Sequence, residues 1–283
     1  MAVHAHPDDE TITMGGVLAV YADRGIETSV VCCTDGKLAT IVDPSMPEET
    51  TRPRLTEIRR DELRQACSIL GVREVHFLDY GDSGMAGEPS NQAPDAFWKA
   101  DIEEATGRLV THIRRFRPHV VVTYDANGGY GHPDHIQTHR ITLLAVEAAY
   151  LSTLYPDSGP PWQVSKLYYT AFPFRAARAA MELAAAANLD PPFGDRAVED
   201  LPFLTPDELA TTEVECRDGV VRMREALRAH RSQIGPDWPL LALSDEHIVE
   251  NFSKQYFQLA ISHNRHGDGE TDLFSGIEEE GSP

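Results

Sequence analysis

AVHAHPDDETITMGGVLAVYADRGIETSVVCCT, residues 2–34, reads as strand, helix and strand in succession. The apolar run Ala2–His6 and the β-branched run Thr28–Thr34 bracket Thr13–Arg24, where Met14, Val17, Leu18 and Tyr21 recur at the i, i+3, i+4, i+7 spacing of one helix face. Gly25 supplies the stop. Two strands joined through a helix lie parallel, because only a crossover returns the chain to start again from the same end of the sheet. The alternation then repeats. Strands are expected at Glu74–Leu78, His119–Tyr124 and Lys166–Ala171, with crossovers at Arg54–Leu70, Asp101–Phe116 and Ile136–Leu151. The sequence therefore predicts an α/β fold, a Rossmann-like doubly wound and mostly parallel sheet.

Beyond Gly159–Pro161 the pattern changes. Arg175–Ala187, Val220–His230 and Glu246–Ile261 read as helices around a Pro- and Asp-rich stretch, Asn188–Pro206, without regular strand alternation. We expect residues 1–160 to form the catalytic core and residues 161–283 a C-terminal helical cap or extension packed on it, not an independent domain. The final stretch, His263–Pro283, ends in EEEGSP and is expected to fray at its tip.

Composition narrows the function. The 283 residues carry 45 acidic against 25 basic side chains, a formal charge of −20 that repels nucleic acid and anionic membranes. No apolar run is long enough for a transmembrane span, and the His- and Asp-rich N-terminus does not resemble a secretory signal, so a cytoplasmic location and a small-molecule partner are expected. Homo-oligomerisation stays open. Cys32, Cys33, Cys67 and Cys216 form no C-x-x-C pair and read as buried thiols. G-x-G-x-x-G, P-loop, G-x-S-x-G and H-E-x-x-H signatures are all missing, and Gly15–Gly16 reads as close packing of helix on sheet.

Two segments concentrate ligand-type side chains. AHPDDE, Ala5–Glu10, ends the first strand, with His4 and His6 on one face, and YDANGGYGHPDHIQTH, Tyr124–His139, follows the fourth. In a doubly wound sheet the first strand and the one after the third crossover flank the point where strand order reverses, and ligands bind beyond their carboxyl ends. The two segments, about 125 residues apart, then face one crevice. His6, Asp9 and His135 would supply the three protein ligands of a catalytic zinc with an open position, and the same set suits ferrous iron. A structural zinc usually takes four protein ligands, so a spare carboxylate, Asp8, favours catalysis over a non-catalytic metal or sugar site. His4, His76, His112, His119, His230 and His247 read as surface or satisfied histidines, and His139 either orients a ligand or only faces its helix.

AHPDDE with GGYGHPDH resembles the PIG-L/LmbE family of zinc-dependent de-N-acetylases, and most closely its mycothiol branch of N-acetylglucosaminyl-inositol deacetylases and S-conjugate amidases. DSGMAG at Asp82–Gly87, RPHVVVTYD at Arg117–Asp125, WQVSKLYY at Trp162–Tyr169, LRAHRSQI at Leu227–Ile234 and ETDLFSGI at Glu270–Ile277 extend the resemblance along the chain. It implies a Rossmann-like fold, one catalytic zinc on His6, Asp9 and His135, and hydrolysis of an acetamide on a glucosamine-type sugar. It further implies Asp8 as general base, His132 as the group serving the oxyanion or leaving amine, Asp134 as the carboxylate orienting His132, and Tyr130 as an extra oxyanion donor. Arg59 and Asp82 would hold the glycan. Thr13–Met14–Gly15 stand where the S-conjugate amidases carry a lysine, and Asp35–Gly36–Lys37 replaces an acidic run. Cleavage of mycothiol S-conjugates and a tailoring deacetylation in secondary metabolism therefore remain alternatives.

Amide hydrolysis needs an activated water, a stabilised oxyanion and a proton for the departing amine. Asp8 is expected to accept the water's proton, and His132, as an imidazolium beside Asp134, to stabilise the oxyanion or protonate nitrogen.

Overall fold

The computed structural model describes residues 1–186, 191–236, 238–264 and 269–277. In chain order its main elements are β1 (Ala2–His4), α1 (Asp9–Asp23), β2 (Ser29–Thr34), α2 (Leu55–Leu70), β3 (Glu74–Tyr80), α3 (Ile102–Phe116), β4 (Val120–Thr123), α4 (Pro133–Ala149), β5 (Lys166–Ala171), α5 (Phe174–Ala186), β6 (Thr212–Glu215), α6 (Val220–Ala229), α7 (Asp245–Asn251) and β7 (Lys254–Ser262). The strands form one sheet in the order β3-β2-β1-β4-β5-β7-β6. The first five run parallel, whereas β7 is antiparallel to both β5 and β6. The reversal between β1 and β4 falls where the sequence placed it.

Side chains alternate between two cores. Ala2, Val30, Cys32, Val120 and Val122 join one cluster with α1, α2 and α6, while Val3, Val31, Cys33 and Val121 join the other with α3 and α4. All four cysteines are free and buried. Among the described residues no helix is long and apolar enough to cross a membrane.

Several expectations need correction. β1 stops at His4, so His6 lies beyond the strand and does not share its face with His4. α1 begins at Asp9, four residues before the expected Thr13, because Asp9 and Glu10 suit the positive end of a helix; Met14 (φ −148°) marks the kink where the apolar periodicity starts. The expected helix Glu246–Ile261 is a short helix, α7, followed by the nine-residue strand β7. Ile248, Phe252, Tyr256 and Leu259 happen to keep helical spacing across both elements. β6 was not expected at all. The glycine pair does pack closely, but against the C-terminal half: a Cβ on Gly15 would lie 2.8 Å from Met223 Cγ, and one on Gly16 would lie 2.7 Å from Cys216 Sγ. The expected fraying at 278–283, and Ala187 at the end of the expected fifth helix, lie outside the described residues.

Candidate active site

A cavity of about 1180 Å³ opens over the carboxyl ends of the parallel strands, and His6, Asp8, Asp9, Asp82, His132 and His135 all line it. The loop after β1 delivers the first cluster. His6 offers Nδ1 to His135 Nε2 at 3.2 Å, and Asp9 Oδ2 lies 3.5 Å from each of these nitrogens. The opposite faces of both rings are already engaged. His6 Nε2 lies 3.3 Å from Asp134 Oδ2, and His135 Nδ1 lies 3.2 Å from the Gly128 carbonyl, which must accept a hydrogen. That network assigns the tautomers of the neutral rings: with the outward nitrogens donating, each inward nitrogen is left a lone pair once the proton His6 favours is displaced.

Two lone pairs and a carboxylate oxygen facing one another at 3.2–3.5 Å repel unless a cation or proton sits among them. Two donors each 2.0–2.1 Å from a tetrahedral zinc lie about 3.3–3.4 Å apart, so the spacing fits that ion. His132 also approaches closely: the donor atoms of His6, His132 and His135 lie within 4.8 Å of one another, as do those of His6, Asp82, His132 and Asp134.

Each donor is held from behind, as metal ligands usually are. Asp9 Oδ2 accepts from the His6 amide at 2.8 Å and from the Tyr124 hydroxyl at 2.7 Å. Tyr124 in turn accepts the Ala5 amide at 2.9 Å and stacks on the His135 ring, centroids 4.2 Å apart. Gly128 is required where it stands: its φ is +63°, and a Cβ there would lie 2.6 Å from His135 Cβ. Although burial pushes it up, Asp9's carboxyl is carried well below the carboxylate range by His135 and His6. Burial opposes protonation of His6 too, yet Asp134, Asp82 and Asp9 raise it well above an ordinary imidazole. Burial drives His135 down to about 3.

Asp8 caps α1 with φ +124°, a conformation that L-residues avoid and that costs on the order of 1–3 kcal/mol. Such strain persists only where the surroundings enforce it, and here they do. The Arg59 guanidinium bonds the Pro7 carbonyl at 2.6 Å, the Gly36 carbonyl at 2.8 Å and Asp8 Oδ2 at 3.1 Å. The Asp8 amide donates to Glu10 Oε2 at 3.1 Å, and Glu10 Oε1 meets His230 Nε2 at 3.0 Å in a fully buried pair. Burial pushes the Asp8 carboxyl up to about 6, against the pull of Arg59.

The structure revises two expectations about the second cluster. No hydrogen bond joins the Asp134 carboxylate to His132; Oδ2 serves His6 and accepts the Ser83 amide at 2.9 Å. His132 caps α4, its Nδ1 accepting the Asp134 amide at 3.1 Å, so Nε2 carries the hydrogen and the ring is a neutral imidazole rather than an imidazolium. Burial, and then His6, lower its pKa. Tyr130 lies edge-on to His132 and His135 and is partly exposed to the cavity. Asp82 is buried, accepts the Leu38 and Gly84 amides, and has Oδ1 3.7 Å from His6 Nε2. His139 donates from Nδ1 to the Tyr124 carbonyl at 2.9 Å, bracing the end of β4 rather than touching a metal donor.

Comparison with known proteins decides the family. The model "PIG-L: GlcNAc-PI de-N-acetylase" matches residues 1–146. The chain belongs to the PIG-L family. It is 42% identical over 285 residues to a 1D-myo-inositol 2-acetamido-2-deoxy-alpha-D-glucopyranoside deacetylase of Geodermatophilus obscurus, covering 98% of this chain and 97% of the relative. The protein of that name from Thermobifida fusca is 42% identical over 286 residues, covering 97% and 98%. Among solved structures, N,N'-diacetylchitobiose deacetylase from Pyrococcus horikoshii matches with a TM-score of 0.61 at 22% identity, over 92% of this chain and 82% of that one. A 4-carboxy-2-hydroxymuconate hydratase from Pseudomonas putida gives 0.65 at 18% identity, over 94% and 97%. These two likenesses establish the fold alone, and the hydratase shows why chemistry has to be argued from the site.

Within this PIG-L chain, the supporting residues were the ones sequence reasoning missed. Tyr124 closes an apolar run and opens the ligand-rich segment, but nothing there marked its hydroxyl as the group that holds Asp9. Glu10 stands inside the motif, but its partner His230 lies 220 residues away, in a stretch quoted only for resemblance.

Proposed function

We propose that this chain is a metal-dependent amidohydrolase that removes the acetyl group from a glucosamine-type glycoside, with the GlcNAc–inositol conjugate of its named relatives as substrate. The observation that carries this reading is the trio of inward-facing donors His6 Nδ1, Asp9 Oδ2 and His135 Nε2 beside a strained carboxylate, Asp8, that belongs to none of their contacts. Those three residues would hold the ion, and zinc fits their chemistry and spacing. Bound zinc supplies Lewis acidity that makes water acidic near neutral pH and polarises an amide carbonyl.

The chain's own groups do the rest. Asp8, with its carboxyl near 6, is suited to take a proton from water at neutral pH and to return it to the departing amine. Arg59 fixes the direction of that carboxylate through its terminal nitrogens, which also hold the Pro7 and Gly36 carbonyls. His132, neutral with its hydrogen on Nε2, is a hydrogen-bond donor to the developing oxyanion, a role Tyr130 shares from the cavity rim. Asp82, whose oxygens also accept the Leu38 and Gly84 amides, is an acceptor for sugar hydroxyls on the β3 side, with Glu88 beside it. The test is release of primary amine from the GlcNAc–inositol conjugate by zinc-loaded protein, with mycothiol S-conjugates in parallel. Release that disappears in Asp8→Ala supports the deacetylase; cleavage of S-conjugates alone would make it an amidase instead.

A further inference from the structure

The walls of the cavity differ on the two sides of the donor cluster. Toward β2 and β3 they present Asp8, Thr40, Arg59, Asp82 and Glu88. Toward β5 and β7 the charged Arg175 and Lys254 are paired with Glu213, and beside them stand Phe172, Phe193 and Phe203, three half-buried rings whose centroids lie 6.1, 6.1 and 5.8 Å apart. α5 turns Ala176 and Ala180 to the same space, and small side chains there leave it unfilled. Backbone pairing holds this wall. The Thr205 amide donates to the Phe172 carbonyl at 2.9 Å and the Thr205 hydroxyl accepts the Phe172 amide at 3.3 Å, fixing the end of β5 against the segment that carries Phe203. Arg175, next along, bonds the Asp207 carbonyl at 3.1 Å and stacks on Tyr256.

The cavity, at about 1180 Å³, also exceeds the ~300–1,000 Å³ of ordinary small-molecule sites. An acetyl group and a hydroxylated inositol bring little apolar surface to three phenyl rings, and an open aromatic wall is costly unless something covers it. We propose that Phe172, Phe193 and Phe203 form a subsite for an apolar alkyl or aryl substituent of the amino-sugar substrate. The inference rests on the amidohydrolase reading above, though not on the inositol conjugate as its particular substrate, and adds the class of group the amino sugar carries. That group is borne on one of two parts of the molecule, the acyl chain or the aglycone.

Calorimetry on the zinc-loaded protein tests the subsite without turnover, using amines that cannot be hydrolysed. The probes are glucosaminyl-inositol, its N-hexyl derivative and benzyl glucosaminide. Each buried methylene adds about fourfold in affinity, so at least one apolar probe should bind tenfold or more tighter than glucosaminyl-inositol. A gain with the N-hexyl probe puts the subsite on the acyl side, and a gain with benzyl glucosaminide puts it on the aglycone side. The ratio should collapse toward one in Phe193→Ser/Phe203→Ser. Because that variant removes two wall residues, Ala176→Phe provides a second check, filling the space from the opposite side while keeping every ring. No gain with either probe, or a gain that survives in a folded Ala176→Phe protein, overturns the proposal. Amine release is measured separately: silence there with the binding gain intact sinks the hydrolase reading alone, and the converse sinks the subsite alone.

Discussion

The loop after β1 and the segment after α6 both carry a histidine in a polar motif, AHPDDE and LRAHRSQI, yet they serve the site in opposite ways. His6 leaves the sheet at its carboxyl edge and faces the cavity, whereas His230 is fully buried behind it, its Nε2 meeting Glu10 and Thr11. One segment supplies donors and the other holds the loop that carries them. A catalytic centre of this kind is thus a local motif on a non-local support, and the two should respond differently to substitution.

Removing an inward donor should have the largest effect. His135→Ala deletes one of three facing donors, and we expect the purified protein to hold less than a tenth of the zinc of wild type by elemental analysis, with amine release lost in step. A full zinc complement would strike His135 from the ligand set. Asp8→Ala comes next, since it leaves all three donors in place. Zinc content should stay near that of wild type while turnover falls about 10²-fold or more, the usual scale for losing a general base. If instead zinc is lost along with activity, the separation between base and ligands fails.

The support should show an intermediate effect. His230→Ala leaves the Glu10 carboxylate buried without its partner, and breaking such a pair costs about 3–5 kcal/mol. The Asp8 amide, which Glu10 holds at 3.1 Å, is then freer to relax from φ +124°. Turnover should drop on the order of tenfold, as for other residues acting one step behind a site, with KM changed less than threefold. His230→Gln, which keeps a donor at that place, should recover most of kcat. Equal losses in both variants would make the pair a matter of stability only.

That contrast also explains what could be read in advance. β1 to β5 were legible to within two residues because buried parallel strands are continuous apolar runs, and their alternation with amphipathic crossovers fixes the reversal point. The donor-rich segments were legible because ligand chemistry needs particular residue types. The hydrogen bonds behind them were not, since any neighbouring hydroxyl, amide or carbonyl can satisfy a carboxylate or an imidazole. Asp134 illustrates this: it is adjacent in sequence to His132's helix start, yet its carboxylate bonds His6. β7 escaped for a different reason. Only Gln255 and Phe257 alternate as buried positions while its later residues are half-buried on both faces, so no period of two stands out.

The smallest expected effect lies farther along α1, where its glycines meet the C-terminal half. α1 carries the Asp8 strain at its N-terminus, and two turns later Gly16 lets it approach the C-terminal half so closely that an added Cβ would sit 2.7 Å from Cys216 Sγ and 3.2 Å from Cys216 Cβ. Gly16→Ala overpacks that seam, and about 1–3 kcal/mol of stability should be lost in denaturant melts with zinc content unchanged. Cys216→Ala removes the clashing sulfur, so in combination it should return at least half of the loss, a coupling that a double-mutant cycle reads directly. If the losses simply add, the seam has yielded by backbone movement rather than by contact. Should Gly16→Ala instead cut kcat as His230→Ala does, strain would be passing along α1 to Asp8, and the division between donors and support would have to include the helix that joins them.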